Sequence, residues 1–124
     1  MSIISKDSAA KQVRTIKDAE ILSPTAQTST ASYVDVSGSK IDAANYESVA
    51  LTVTNTHGSN SIDYKVLASI DDVSYVEVKA EATLAAAAIG SYSTSPALYR
   101  YYKVQVKDTS GGTHGAATVR VIAK

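Results

Sequence analysis

The sequence predicts an all-β fold: an antiparallel β-sandwich of about seven strands, preceded by an N-terminal arm or short helix. Three observations carry this. Val, Ile and Thr supply 34 of the 124 residues against six for Leu plus Met, and β-branched side chains suit a pleated sheet better than a helical bundle. Several segments alternate apolar and polar residues with period two, which leaves each sheet one wet face, as in an antiparallel sandwich. Turn clusters of Gly, Ser, Asn and Asp recur about every 8 to 12 residues. Both an Ig-like and a jelly-roll topology fit this pattern.

The first 22 residues stand apart, with no Gly, Pro or Tyr. Ala10, Val13, Ile16 and Glu20 recur at helical spacing, with Lys6, Lys11, Arg14 and Lys17 between them, and Ser5 and Asp7 are placed to cap such a helix. An extended arm that orders against a neighbouring subunit fits equally well. Residues 1–24 are therefore read as an arm or assembly segment and residues 25–124 as the sandwich domain, with Ser23-Pro24 at the exit.

Thr25 to Ser32 reads as extended surface chain or an edge strand, and Tyr33 to Val36 as a short strand closed by Ser37-Gly38-Ser39. A loop from Lys40 to Tyr46 follows. Ser48 to Thr56 places Val49, Leu51 and Val53 on one face, and His57 to Asn60 is a turn. Ser61 to Ile70 places Ile62, Tyr64, Val66, Ala68 and Ile70 inward. After the turn at Asp71-Asp72, Val73 to Ala80 returns as the second half of a hairpin, Val76 and Val78 sharing a face. Propensity alone makes EATLAAAAI (81–89) a helix, but its neighbours are strands, so Glu81 to Ser95 is expected to be a loop leading into an edge strand. Ala97 to Lys107 is the strongest strand. Leu98, Arg100, Tyr102, Val104 and Val106 share one side, and Tyr99, Tyr101, Lys103, Gln105 and Lys107 the other. Asp108 to Gly115 is a hairpin loop, and a last strand turns Ala117, Val119, Val121 and Ala123 inward.

Function classes are excluded mainly by what is missing. Lys plus Arg equals Asp plus Glu at 12 each, so binding driven by bulk charge is not expected. Tyr99 to Lys103 interleaves aromatics with cations as single-strand binders do, but a neutral chain offers few phosphate contacts, and no nucleic-acid partner is expected. The longest apolar run, Leu84 to Ile89, falls far short of the roughly 20 residues of a membrane helix, so no membrane partner is expected either. Ile3 and Ile4 open no longer apolar stretch, which argues against a secretory signal. Cysteine is absent, no G-x-S-x-G elbow or phosphate loop occurs, and Gly111-Gly112 belongs to a hairpin. His57 and His114 lie beside glycines in turns and lack metal-ligand spacing. Asp71, Asp72 and Glu77, with Asp63 and Asp108 elsewhere, do not make the oxygen-rich loop that calcium needs, and turn chemistry explains the aspartates. No catalytic residue, metal or cofactor is expected. Tyr99, Tyr101 and Lys103, facing outward together, suit a protein contact, a covered sheet face or a sugar-stacking surface.

Three segments, VLASIDDVSYVEVKA (66–80), YRYYKVQVKD (99–108) and GGTHGAATVRVIAK (111–124), resemble small β-sandwich virion proteins of tailed bacteriophages. The likeness rests on an S-x-D-x-x-x-Y hairpin (Ser69, Asp71, Tyr75), an R-Y-x-x-V strand (Arg100, Tyr101, Val104) and a Gly-containing turn before a Val-rich strand. It covers about the last 60 residues. Asp72 stands where that hairpin usually has Gly. The resemblance implies a structural subunit carried in many copies on the virion, foremost one that decorates or stabilises the capsid surface. Its partners would be the major capsid protein or other virion subunits, and a homo-oligomer is expected. The contact residues to expect are Ile3, Ile4, Val13 and Ile16 of the arm, with Tyr99, Tyr101 and Lys103 of the sandwich. A tail or fibre protein and a carbohydrate-binding host-attachment module are the alternatives.

Overall fold

The computed structural model describes residues 19–109 and 114–124. The helix or arm expected near the N-terminus, including Ile3, Ile4, Val13 and Ile16, lies outside the described residues, as does the centre of the hairpin loop at 110–113. Among the described residues nine strands form: β1 (Glu20–Thr28), β2 (Val34–Asp35), β3 (Ile41–Asp42), β4 (Val49–Asn55), β5 (Ile62–Ser69), β6 (Val76–Leu84), β7 (Ile89–Thr94), β8 (Tyr101–Asp108) and β9 (Ala116–Ala123). They make two sheets. One has the order β1-β9-β4-β7; in the other, β2 and β3 share an edge of β8, followed by β5 and β6. Every pairing is antiparallel.

The pairings are nested. β5 pairs with β6, β4 with β7, β2 and β3 with β8, and β1 with β9. The chain is thus one long antiparallel hairpin wrapped into two sheets, which is the jelly roll and not the Ig-like alternative. This wrapping sends the loops to two ends. One end holds the start of β1, the C-terminus, and the turns 43–48, 70–75 and 95–100, tied by Glu47 N to Lys124 O (2.9 Å), Ala97 N to Glu47 O (2.6 Å) and Arg100 N to Ser69 O (3.1 Å). The other end holds the turns around residues 29–33, 56–61 and 85–88, with His114 and Gly115.

Between the sheets lies a core of small β-branched side chains: Val36, Ile41, Val49, Val53, Ile62, Val66, Val104, Val106, Val119 and Val121, each at most 3% exposed. With no Phe or Trp, Tyr64 and Tyr102 supply the bulk. Tyr102 is flanked by the rings of Tyr92 and Tyr99, both with centroids at 6.4 Å. Gly90 of β7 is the counterpart of Tyr64, because a Cβ there would fall 2.4 Å from the Tyr64 hydroxyl.

The structure departs from the sequence reading at definite places. β1 begins at Glu20, so residues 20–24, grouped with the arm by composition, are paired into the sheet. The register across β9 shifts at Arg120, which faces both Ser23 and Pro24 in a bulge, a position that proline tolerates. The expected loop 40–46 contains the two-residue strand β3. Ile70 and Leu98, expected inward, are 71% and 79% exposed. β5 ends at Ser69 and β8 starts only at Tyr101, so alternation does not extend to either residue. Tyr99, expected outward, packs on the core for the same reason. Glu81 to Leu84, expected in a loop, extend β6, and only the alanines 85–88 form the expected turn before the edge strand β7, because buried Asn55 overrides helix propensity there. Its amide donates to Leu84 O (3.0 Å) and Asn60 O (2.7 Å), while its backbone exchanges bonds with Ala87 and Ala88.

That turn holds Ala87 in the left-handed region at φ +65. Ala87→Gly is expected to raise stability by about 0.5–1 kcal/mol in denaturant unfolding, the relieved strain exceeding the extra unfolded-chain entropy. The far end also carries a buried carboxylate. Asp108, 4% exposed, accepts from the Ser29 hydroxyl, from Gly115 N (3.1 Å) and at 2.5 Å from His114 Nδ1. Burial alone would push its pKa up, but the bonds from Ser29, His114 and Gly115 outweigh this and hold it below the ordinary carboxylate value. Its contribution to stability is therefore complete above the unfolded value, about pH 4, and is lost as pH falls toward the folded value. Asp108→Ala is expected to cost about 2–4 kcal/mol. Asp108→Asn is expected to flatten the acid limb of stability against pH, measured by urea unfolding; an unchanged slope would contradict this.

Candidate assembly surface

Two features of the outer surface stand out, and the wrapped topology places them side by side. The first is a cleft of about 500 Å³ on the outer side of the five-stranded sheet, lined by Asp35, Lys40, Asp72, Tyr75 and Lys103 among others. β8 contributes Lys103, with Tyr101 on the same outward face as alternation anticipated; the β5–β6 turn contributes Asp72, Val73 and Tyr75, and the β2–β3 turn Lys40. Lys103 Nζ bonds Asp35 Oδ2 at 3.0 Å and lies 4.2 Å from the centroid of the Tyr75 ring. Lys40 Nζ bonds Asp72 Oδ2 at 2.7 Å and lies 5.6 Å from the Tyr101 ring. Arg100 stands 5.1 Å from the same ring and grips Asp42 with two nitrogens, at 3.1 and 3.0 Å. Tyr75 donates its hydroxyl to Asp72.

The electrostatics follow from these partners. Bonding from Lys40, then Tyr75, holds the Asp72 carboxyl below its usual value. Asp35 is also lowered, because Gln105 and Lys103 outweigh the opposing effect of burial. Tyr75 is pushed up by burial and by its bond to Asp72, and stays a neutral phenol. The cleft is a closed ionic network in which each carboxylate is matched by a cation.

The β5–β6 turn that builds one wall is set by the S-x-D motif. The buried Ser69 hydroxyl donates to Asp71 Oδ1 (2.8 Å) and accepts from the backbone N–H of Asp71 and Asp72. Asp71 Oδ1 in turn accepts from Val73 N and Ser74 N, both at 2.9 Å, and these backbone bonds hold its pKa down. Asp72 adopts φ +62, the conformation that glycine takes without strain, at the position where the resembling family usually has Gly.

The second feature is apolar. Ile70 and Val73 of the same turn and Leu98 of the β7–β8 turn are 71%, 80% and 79% exposed. Ile70 and Leu98 belong to turns at the end of the sandwich where β1 starts and connects to residues 1–18, while Val73 lines the cleft. Tyr46 marks that junction with a 3.0 Å bond to Glu20. Periodicity missed Ile70 and Leu98 because it assigned both to buried strand positions. Their place next to the Asp71-Asp72 turn and Pro96 was the available signal.

Among the described residues nothing at the opposite end forms a reactive centre. Ser29, Asp108 and His114 are together, but the carboxylate sits between the hydroxyl and the imidazole, and Ser29 is 0% exposed, so the hydroxyl is closed to a substrate. His57 Nδ1 accepts from Ser59 N and Asn60 N, both at 2.9 Å, and serves its turn. Among the described residues no group of three His, Cys, Asp or Glu is placed to hold a metal ion. Asp63, buried, accepts from the hydroxyls of Thr83 (2.7 Å) and Thr109 (2.8 Å).

No protein-family model and no curated protein matches the sequence. Solved structures do share the architecture. The PBSX exported protein XepA is similar over 86% of this chain and 36% of its own, with 14% identity and a TM-score of 0.58. This chain thus corresponds to about a third of XepA. The Yersinia pseudotuberculosis-derived mitogen YPM is similar over 84% of this chain and 86% of its own, at 9% identity and TM-score 0.56. The SPBc2 prophage-derived protein YomS is similar over 88% and 96%, at 12% identity and TM-score 0.50. The likeness is one of fold. That fold is used by a prophage-derived protein and by a mitogen alike, so function has to be argued from the surface.

Ser69→Ala is expected to cost about 1–2 kcal/mol, since it strips the part-buried N–H groups of Asp71 and Asp72 of their acceptor. Hydrogen exchange at the amides of Asp71, Asp72 and Val73 should accelerate; exchange as slow as in the unchanged chain would show that the motif does not set the turn.

Proposed function

We propose that the protein is a virion structural subunit that decorates or stabilises a phage capsid, seated on the shell by the loop end of the sandwich. The observation that carries this is the exposure of large aliphatic side chains: Ile70 and Leu98, in turns at the end where β1 starts, and Val73, on the adjoining cleft, all stand in solvent. Covering each such side chain is worth about 2 kcal/mol, and many copies on a shell make a modest contact sufficient. Tyr101, paired in register with Ser69, borders the same end and adds a rigid aromatic contact, with Lys103 one step along the outer face. Tyr99 contributes through its packing on Tyr102, which shapes the turn carrying Leu98. The arm residues Ile3, Ile4, Val13 and Ile16 are assigned to a neighbouring capsid or decoration subunit. The major capsid protein is the partner of choice, and the outer capsid surface the location.

Among the described residues the arrangement of polar groups gives a catalytic role no support. The sugar-binding alternative is the weaker one. The rings of Tyr75 and Tyr101 face the cations of Lys103, Lys40 and Arg100, so a sugar would have to displace a cation to stack on them.

The test is co-sedimentation with particles that lack the protein. The unchanged chain is expected to pellet with them, and Ile70→Asp combined with Leu98→Asp to bind at least about tenfold more weakly with an unchanged unfolding midpoint. Full binding by the double variant would overturn the docking surface. Deleting residues 1–18 should leave the unfolding midpoint in place and reduce binding; undiminished binding would remove the arm from the mechanism.

A further inference from the structure

The four sheet edges are not alike. β1 is interrupted by the bulge at Ser23-Pro24 and carries Glu20. β6 has two register shifts against β5 and carries Glu77, Lys79 and Glu81. The third edge is reduced to the dipeptides β2 and β3, with Asp35 and Asp42. Bulges, charges, prolines and short strands are the devices by which proteins keep sheet edges from pairing with other chains.

β7 has none of them. Its six residues, IGSYST, pair with β4 in unbroken register from Thr94 opposite Val49 to Ile89 opposite Thr54. It contains no charge and no proline, and among the described residues no strand pairs with its other side. Such an edge offers a row of backbone N–H and C=O groups to a further strand.

We propose that β7 is a self-association edge, pairing antiparallel with β7 of a second copy about a two-fold axis and joining two four-stranded sheets into one continuous sheet. The occupant follows from charge and symmetry. IGSYST meets itself without like charges in opposition, and the chain, with 12 cationic and 12 anionic residues, adds no net repulsion between copies. Two-fold pairing that keeps the sheet faces aligned sets Ile89, Ser91 and Ser93 against their own kind on the outer face. Ile89, 65% exposed in one copy, thereby gains cover. The inference does not depend on what the loop end binds.

The experiment is analytical ultracentrifugation of the full chain over a wide concentration range, with hydrogen exchange at β7. The unchanged chain is expected to form a reversible dimer whose β7 amides become more protected as concentration rises. Ser91→Lys with Ser93→Lys, both at exposed positions, should weaken dimerisation at least about tenfold without moving the unfolding midpoint, by setting like charges across the axis. Ile70→Asp with Leu98→Asp should dimerise as before. A monomer at all concentrations, a double-lysine variant that dimerises normally, or a dimer lost only in the aspartate variant would each overturn the proposal.

Discussion

Everything in this molecule depends on the nesting of antiparallel ladders, in which one long hairpin is paired with itself from the β5–β6 turn out to β1 and β9. Each rung satisfies backbone groups and fixes which side chains face inward, so the core can be built from valine and isoleucine with two tyrosines in place of larger aromatics. The same wrapping leaves no freedom over where the loops go. Alternate turns must fall at alternate ends, and each end then acquires its own chemistry.

Those chemistries differ. At one end the turns are tied by buried polar groups: Asn55 joins the turns 56–61 and 85–88, and Asp108 holds Ser29, His114 and Gly115. Buried partners of this kind leave little for a ligand and make that end a structural closure. At the other end the ties are backbone bonds between adjacent turns, and aliphatic side chains stand in solvent. An exposed apolar group contributes nothing to the isolated sandwich. Its use lies in contact with something else, which is the physical basis for reading this protein as an assembly subunit.

Much of this architecture was legible from residue order, for a clear reason. β4, β8 and β9 alternate buried and more exposed positions without a break, each packed on the core by one face. β1 was not legible as a strand from Glu20, since the bulge at Pro24 places Leu22 and Thr25, three residues apart, on the same side. β2 and β3 are too short to show a period. The alanine turn hides a buried asparagine thirty residues away in sequence as its determinant, a tertiary effect that local propensity does not contain. At the candidate surface, Tyr101 and Lys103 followed from alternation, whereas Ile70 and Leu98 were masked by extending alternation past the strand ends, and Tyr99 was turned outward by the same extension. Asp72 is instructive in the other direction: its departure from the glycine usual at that point marked the one backbone in the hairpin with a positive φ.

The most direct test is an electron cryo-microscopy reconstruction of particles bearing this protein, at a resolution that orients the sandwich. Density that sets the turns 70–75 and 95–100 against the shell, with the opposite end holding Asp108 and Asn55 directed to solvent, is the expected result. A sandwich standing with Ile70, Val73 and Leu98 in open solvent would contradict the role assigned to that end.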